Sequence, residues 1–279
     1  MGKLGASLAS MAKVFLLSKS ASSGGDRGRG RTLIILGNGP SLRQTLDEDF
    51  DVLSRHDLMA VNFAANSSEF FRLKPKYYVL ADAHFFNSLP TDVNVRKLWE
   101  NFGRVNWSMT LLIPTKFRQL VKPLLMHTTD LKTHYFNMTP VEGFRWLKHL
   151  YFRSGAGMPR PRNVMIPAIM EGIRMGYTKI FLCGADHTWT KTLDVDEENF
   201  VVSVQPHFYE DNAAEHCRVR ETYKGLRLHD VLGSMTIAFR SYWEVSEYAK
   251  RRKVEIINAT PGSMIDAFTR RKLRGPEDR

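Results

Sequence analysis

The sequence feature that most constrains the fold is a largely apolar run, Thr32–Leu36, that leads directly into residues 37–41, Gly-Asn-Gly-Pro-Ser. The run does not alternate between apolar and polar residues, which is typical of a strand buried on both faces of a parallel sheet. The glycines tolerate positive φ, and Pro40 followed by Ser41 favours the start of a helix. This combination directs backbone N–H groups at one point, where a phosphate binds well. The alternative is a tight turn that holds no ligand.

Two common phosphate-binding motifs do not fit this stretch. The turn lacks the Gly-Lys-Ser/Thr of a P-loop, so ATP hydrolysis of the Walker type is not predicted. The dinucleotide fingerprint needs a third glycine and an acidic residue after the second strand. Here Leu42 follows the turn, and Asn62 follows the second predicted strand. An amide there reads a base or a sugar by hydrogen bonding, and does not match the ribose-binding carboxylate of NAD enzymes.

From residue 32 onward, strand-like runs alternate with helix-like runs. This order predicts an α/β fold, a Rossmann-like and mostly parallel sheet with helices on both faces. The predicted strands are 32–36, 58–61, 77–81, 109–113, 133–136, 179–183 and 254–257, and the predicted helices are roughly 43–55, 115–126, 164–176 and 231–252. Residues 138–163, rich in Gly, Pro, Arg and aromatic residues, and residues 187–228 are interpreted as loop or lid regions of one catalytic domain, 31–268.

The net charge of +11 is concentrated at the two ends of the chain, in residues 1–31 and 269–279. The body is therefore close to neutral, and a nucleic-acid partner is not predicted. Residues 1–30 are interpreted as a basic leader with a flexible linker from residue 18, and 269–279 as a basic tail. Apolar residues at positions 4, 8, 11 and 15 follow helical spacing, which indicates either a helix on an anionic membrane surface or a frayed leader.

The two cysteines are far apart, which favours a reducing compartment and predicts no disulfide framework. We therefore expect a cytoplasmic protein, peripheral to the inner membrane if the basic ends bind lipid.

Polar residues follow nearly every predicted strand, at the edge of the sheet where ligands of such folds bind. Asp82 and Asp186 each follow a strand, where two carboxylates hold Mg²⁺, orient sugar hydroxyls, or simply cap the next segment. The histidine we favour as general base is His207, which lies near Tyr209 on a predicted loop. Other histidines that could lie near this edge are His84, His187 and His229.

Two arginines, Arg160 and Arg162, precede Asn163 and a predicted helix. Arginines at a helix start suit a phosphate or a carboxylate, and the alternative is a solvated basic loop.

Three motifs together resemble a known group of enzymes: Leu-Gly-Asn-Gly-Pro-Ser-Leu at residues 36–42, Asn62 after the second strand, and Gly-Tyr-Thr-Lys-Ile-Phe-Leu-Cys-Gly-Ala-Asp-His at residues 176–187. They are similar to those of the small bacterial α-2,3-sialyltransferases, the Maf-type flagellin glycosyltransferases and the MptE-like 6-hydroxymethylpterin diphosphokinases. The closing Asn-Ala-Thr-Pro-Gly-Ser at 258–263 is similar to the MptE-like members, and the resemblance covers residues 32–268.

The resemblance implies a glycosyltransferase that moves a sugar from a nucleotide-activated donor, such as CMP-sialic acid, to a surface-glycan acceptor. It implies that Asn38, Gly39, Ser41 and Asn62 contact the nucleotide and that a histidine is the general base. The chain departs from the sialyltransferases at Thr188 and Trp189, where a tyrosine is expected. The alternatives are a Mg-ATP-dependent pterin diphosphokinase, with Asp82 and Asp186 as metal ligands, and a non-catalytic nucleotide-binding module.

The residues named above form one predicted site. No cofactor is required by the glycosyltransferase hypothesis, Mg²⁺ belongs to the diphosphokinase alternative, and the oligomeric state stays open. The predicted catalytic residues are His207, Asp186 and His187; the predicted nucleotide-binding residues are Gly37, Asn38, Gly39, Pro40, Ser41, Asn62, Asp82 and Asn163; the predicted phosphate- or substrate-binding residues are Arg160, Arg162 and Tyr209.

Overall fold

A computed structural model of the protein describes residues 2–126, 128–203 and 225–274. Its centre is an eight-stranded sheet in the order β10-β9-β6-β1-β2-β3-β4-β5, in which every neighbouring pair is parallel. A short antiparallel pair, β7 and β8, lies apart from it. The strands are β1 Thr32–Leu36, β2 Asp57–Val61, β3 Tyr77–Val79, β4 Met109–Pro114, β5 Leu131–Phe136, β6 Lys179–Cys183, β7 Leu193–Val195, β8 Val201–Ser203, β9 Glu255–Asn258 and β10 Thr269–Arg270.

Helices surround this sheet, as the alternating sequence pattern predicts. None of the helices in the described ranges is both long and apolar enough to cross a lipid bilayer. The helices are α1 Lys3–Leu17, α2 Ser41–Glu48, α3 Phe50–Leu53, α4 Ser68–Leu73, α5 His84–Asn87, α6 Val93–Gly103, α7 Arg118–Val121, α8 Arg145–Ser154, α9 Met165–Arg174 and α10 Leu228–Arg251, with 3₁₀ turns at Asn62–Asn66, Thr115–Phe117, Pro123–Leu125 and Trp189–Lys191.

Strand β1 shows why the run 32–36 lacks alternation: both of its faces are buried. Leu33 and Ile35 belong to the hydrophobic cluster that includes residues of α9 and α10. Ile34 and Leu36 belong to the cluster on the other face, with residues of α2 and α3. A strand between two helical layers must be apolar at every position, so the predicted class of sheet is confirmed.

The order of the strands creates a switch point beside β1. From β1 the chain adds β2, β3, β4 and β5 in one direction, and then returns to place β6 on the other side of β1, followed by β9 and β10. The crevice outside the carboxyl ends of the strands at such a point is the usual ligand site of an open α/β sheet. We call this side of the sheet the carboxyl edge, and the opposite side the amino edge.

All seven predicted strands are present, with ends within two residues of the predicted ones. The interpretation of 138–163 as a long loop or lid is wrong in its central part, because helix α8 occupies Arg145–Ser154. Residues on either side of that helix also belong to the core: Val141 and Met158 are buried, and their backbones are hydrogen-bonded to each other. Phe152 is buried as well, and Tyr151 packs against the same core, which the composition alone did not indicate.

The interpretation of 18–30 as a flexible linker is also wrong. The Ser22 N–H donates to the Tyr135 carbonyl oxygen at 2.8 Å, and the Gly28 N–H donates to the Met175 carbonyl at 2.8 Å. A Cβ built on Gly28 would lie 2.4 Å from the ring of Tyr177. Gly28, and likewise Gly24 against Arg174, therefore allow close packing against the body, and they do not mark a free linker.

The beginning of the predicted basic tail is likewise docked on the body. Residues 269–270 form β10 beside β9, and Leu273 is buried. The guanidinium of Arg274 contacts Asp49 at 3.1 Å and Asp51 at 2.6 Å. The domain boundary predicted at residue 268 therefore falls before the end of the packed chain.

Candidate functional site

A cavity of about 810 Å³ opens at the carboxyl edge, where β1, β2, β3 and β6 end. Its lining combines the turns after these strands with the start of α9 and the first part of α10. Its size falls within the range of small-molecule and cofactor sites. The sequence-predicted residues that line it are Gly37, Asn38, Gly39, Pro40, Asn62, Asp82, Arg162, Asn163, Asp186 and His187.

The glycines after β1 are required by the close approach of the turn after β6. A Cβ on Gly37 would lie 2.4 Å from the carbonyl oxygen of Gly184, and one on Gly39 would lie 1.9 Å from a carboxylate oxygen of Asp186. The Gly39 N–H also donates to the Gly184 carbonyl at 2.8 Å. Part of the signal interpreted as phosphate binding is therefore explained by contact between two turns.

The start of α2 is occupied by a carboxylate from the protein itself. The Ser41 N–H donates to Asp186 Oδ1 at 3.2 Å, and the Ser41 hydroxyl donates to Asp186 Oδ2 at 2.7 Å. The helix start thus holds an anion, as expected, but this anion is a side chain and not a ligand phosphate. Burial raises the pKa of Asp186, and the two bonds from Ser41 act in the opposite direction.

Asn38 and Asn62 both line the cavity, and each has a buried polar atom without a partner in the described part of the chain. The Asn38 amide nitrogen donates to the carbonyl oxygen of Val61 at 3.2 Å, which ties the turn after β1 to the end of β2. The Oδ1 atoms of Asn38 and Asn62 are buried and have no hydrogen-bond partner among the described residues. Asn62 also has a φ of 51°, an uncommon conformation for a residue other than glycine, and one that clusters at functional sites.

A hydrogen-bonded relay joins Asn163, Tyr242 and His187 behind the cavity wall. Asn163 Oδ1 accepts from the Met165 N–H at 3.0 Å, so this atom is an oxygen and can only accept. The Tyr242 hydroxyl must then donate to it, also at 3.0 Å. Since that hydroxyl has one proton, its 2.6 Å contact with His187 requires His187 Nε2–H to donate to the phenol oxygen. The relay therefore fixes the neutral tautomer in which Nδ1 of His187 is an acceptor.

The relay leaves one further amide atom unpaired, and it places His187 in an apolar environment. Asn163 Nδ2 is buried without a partner in the described part of the chain. Burial lowers the pKa of His187 to about 3 and raises that of Tyr242 well above its usual value. Trp189 lies against the imidazole, with ring centroids 4.2 Å apart, and His187 itself has a φ of 52°. His187 is therefore neutral at physiological pH.

The structure places the other predicted residues elsewhere. Ser41 lies behind the lining with its polar atoms on Asp186, and Arg160 pairs with Glu142 at 3.0 Å, away from the cavity wall. His84 lies outside the lining and contacts Asp92 at 2.8 Å. His207 and Tyr209 lie outside the described residues.

The metal alternative finds limited support in the geometry. Asp82 accepts from the His84 N–H at 2.9 Å, as an acid capping the next helix does. In the described ranges, no group of three or more His, Cys, Asp or Glu side chains is placed to hold a metal ion.

Sequence reasoning did not find Tyr242, although it connects two predicted site residues. It lies in the middle of α10, four residues after buried Ala238 and three before buried Val245, so its spacing resembles that of any core aromatic residue. Its hydroxyl contacts His187, which is 55 residues away in the sequence, and Asn163, which is 79 residues away. No local sequence pattern indicates such contacts.

Fold and cavity together define a Rossmann-like α/β protein whose candidate ligand site lies at the carboxyl edge of a parallel sheet. No protein-family model and no curated protein matches the chain. Among solved structures, the chain is similar to a Maf glycosyltransferase from Magnetospirillum magneticum AMB-1, with a TM-score of 0.50 and 11% sequence identity. The match covers 98% of this chain and 39% of that one, so this chain spans less than half of its neighbour's length. The likeness supports the fold.

Proposed function

We propose that the protein is a glycosyltransferase that binds a nucleotide-activated sugar in the cavity at the carboxyl edge. The observation that carries this proposal is the set of three buried amide atoms without partners, on Asn38, Asn62 and Asn163. Each such atom costs about 1–3 kcal/mol unless something supplies the missing hydrogen bond. All three belong to residues that line one cavity, so a polar ligand there is the simplest partner.

The donor and acceptor pattern of these atoms favours a nucleotide. The two Oδ1 atoms accept from the amino group of a base or the hydroxyls of a ribose, and Asn163 Nδ2 donates to a carbonyl or ether oxygen. Arg162, also in the lining, supplies positive charge for the phosphate that leaves during transfer. The structural neighbour is a glycosyltransferase, and the sequence motifs resemble those of CMP-using enzymes. Both favour a nucleotide-sugar donor, with CMP as the first nucleotide to test.

In the proposed reaction, an acceptor hydroxyl attacks the anomeric carbon as the bond from that carbon to the phosphate oxygen breaks. The hydroxyl proton passes to a histidine, and the nucleotide leaves with the bonding electron pair. His187 is one candidate base, because its Nδ1 is left as the acceptor when Nε2–H is held by Tyr242. His207, favoured from the sequence, is the other. Positioning of the two substrates supplies most of the remaining rate enhancement.

Ligand binding tests the proposal directly. Calorimetry with CMP-, UDP- and GDP-sugars is expected to show binding of at least one of them, followed by transfer to an added acceptor. A separate experiment with ATP and Mg²⁺ tests the pterin diphosphokinase alternative. Binding of Mg-ATP without binding of any sugar nucleotide would overturn the proposal in favour of phosphoryl transfer.

Substitutions then identify the base. His187→Asn and His207→Asn are compared, and the variant that lacks the base should lose about 10²-fold or more in kcat with little change in donor affinity. Tyr242→Phe keeps the ring but removes the hydroxyl that holds Nε2–H. If His187 is the base, this variant should lower kcat, because nothing then holds the tautomer with Nδ1 as acceptor, and it should leave donor affinity nearly unchanged. A kcat unaffected in both histidine variants would exclude histidine base catalysis.

A further inference from the structure

Helix α1 is held on the body by its small polar residues. The hydroxyl of Ser7 accepts from the Phe144 N–H at 2.9 Å, and the hydroxyl of Ser10 accepts from the Glu142 N–H at 2.8 Å. Just beyond the helix, Ser18 donates to the Ala156 carbonyl at 2.6 Å. A Cβ on Gly143 would lie 2.2 Å from the Ser7 hydroxyl, so the two segments meet without room to spare. The helix is thus part of the folded body, which excludes the frayed-leader alternative.

The large apolar residues of α1 are left exposed by this arrangement. Phe15 is 87% exposed, and it shares its side of the helix with Leu4, Leu8 and Met11, which are also exposed. Only Val14 among the large side chains of α1 packs against the core. A contiguous apolar surface of this kind on a folded body marks a site that is covered by something else. We call these four residues the apolar stripe.

Exposed apolar residues are also present on α8, which begins directly after the segment that α1 contacts. Phe144, whose N–H binds Ser7, immediately precedes α8. Trp146 is 64% exposed, and Leu150, one turn further along α8, is exposed as well. An exposed tryptophan beside an apolar helix is typical of proteins that rest on the membrane–water interface.

The positive charge of α1 favours an anionic partner for the apolar stripe. The helix carries Lys3 and Lys13, both off the apolar stripe, and has no acidic residue from 3 to 17; Lys19 follows its end. A second copy docked helix to helix would offer no carboxylate on α1 to pair with these lysines. Lipid phosphates supply the complementary charge, and each lysine near an anionic surface adds to the attraction.

We propose that α1 docks this protein on an anionic lipid surface, with the apolar stripe at the acyl boundary and the positive charge of the helix attracted by the lipid phosphates. The proposal is independent of the glycosyltransferase function, since none of the stripe residues lines the cavity. It places the cavity on a body that is bound to the membrane through its N-terminal helix.

Vesicle flotation with the full chain tests this proposal. The protein is expected to float with vesicles of equal parts phosphatidylcholine and phosphatidylglycerol, and much less with phosphatidylcholine alone. The double variant Leu8→Ser/Phe15→Ser should lower the affinity for the mixed vesicles by about tenfold or more, since it removes two large apolar side chains from the interface. The variant Lys3→Glu/Lys13→Glu should lose the preference for anionic lipid.

The matched control is Leu120→Ser, which removes a leucine that is 51% exposed on α7 and should leave flotation unchanged. Circular dichroism and the melting temperature confirm that each variant is folded. Failure of the wild type to float, or equal flotation of the stripe variant, overturns the proposal. Sedimentation that shows a dimer, together with no flotation, would assign the stripe to a second copy. Sugar-nucleotide binding should be unchanged in the stripe variant. The membrane proposal and the glycosyltransferase proposal are therefore tested by separate measurements, and either one can fail while the other holds.

Discussion

The two edges of the central sheet differ in how well their polar groups are paired. At the amino edge, Asp57 begins β2, and its carboxylate accepts from three groups that lie just before neighbouring strands. Lys76 is at 2.7 Å, Arg31 at 3.4 Å, and the Tyr177 hydroxyl completes the set. Burial raises the pKa of Asp57, but the bonds from Lys76, Tyr177 and Arg31 outweigh it and hold the pKa below its usual value. Asp57, Lys76 and Arg31 thus form a paired cluster of charges at this edge.

At the carboxyl edge, where β1, β2, β3 and β6 end, several polar groups have no hydrogen-bond partner among the described residues. Asn38 and Asn62 each have a buried oxygen without a partner, and Asn62 and His187 have a left-handed backbone. Paired charges at the amino edge stabilise the sheet. The unpaired groups at the carboxyl edge cost stability, and they belong to residues around a cavity in which a ligand would supply the missing hydrogen bonds. Unsatisfied and strained positions are expected at a functional site.

The largest expected difference between the edges comes from matched substitutions of two aspartates. Asp57→Asn should lower the free energy of unfolding by about 2–3 kcal/mol, because it removes the charge that pairs with Lys76 and weakens the bond to Tyr177. Asp186→Asn should change it by about 0.5 kcal/mol or less. The Asn oxygen accepts from the Ser41 N–H, the Asn amide nitrogen donates to the Ser41 hydroxyl oxygen in place of the second bond, and no described cation pairs with Asp186.

Urea denaturation of both variants measures this difference. The control for structural damage is the m-value, which should match that of the wild type for both. Equal destabilisation of the two variants would contradict the division of roles between the edges.

The pH dependence of stability sharpens the comparison at the carboxyl edge. The folded-state pKa of His187 is lowered by burial to about 3, below the value near 6.5 of the unfolded chain, so the native state binds fewer protons in that window. The contribution of His187 is present above pH 6.5 and is lost as the pH falls towards 3, by up to about 1.4 kcal/mol per pH unit. His187→Asn, which suits a positive φ, should therefore give a flatter profile of stability against pH.

The control for this prediction is Tyr242→Phe. It keeps the imidazole buried while removing its hydrogen-bond partner, and should retain the wild-type slope, because burial and not the hydrogen bond lowers the pKa. Urea unfolding at several pH values across the window measures both variants. A slope in His187→Asn as steep as that of the wild type would show that the imidazole is not the buried neutral group responsible.

The fold was predictable from sequence where burial leaves a local pattern. Strand β1 is apolar at consecutive positions because helices cover both of its faces, and the same signal located the other six predicted strands. The docking of 18–30 was not predictable, since Gly28 against the ring of Tyr177 has the same sequence signature as a glycine in a free linker. Helix α8 was missed because its aromatic and basic residues resemble those of a binding loop.

The site was predictable only in its position. Polar residues after the strands predicted a site at the carboxyl edge, and a cavity lies there because parallel strands bring their ends together. Which groups would satisfy one another was not predictable: Asp186 and Ser41 are 145 residues apart, and their contact fills the place expected for a phosphate. The relay through Tyr242 likewise depends on how α10 is rotated against the sheet, which the sequence pattern does not specify.

The smallest expected effect, and the most specific to the cavity, comes from Asn62→Gly. Glycine adopts a φ of 51° without strain and removes the unpaired Oδ1, so the free energy of unfolding should rise by about 0.5–1 kcal/mol. The control is Lys74→Gly, at a φ of 46° on the exposed end of α4, away from the cavity; it should give a similar gain. Only Asn62→Gly should also weaken nucleotide binding, by about tenfold, because only Asn62 presents an acceptor to the ligand. Calorimetry and urea denaturation on the two variants separate relief of strain from loss of recognition, and equal nucleotide affinity in both would mean that Asn62 belongs to the scaffold of the carboxyl edge and not to its binding surface.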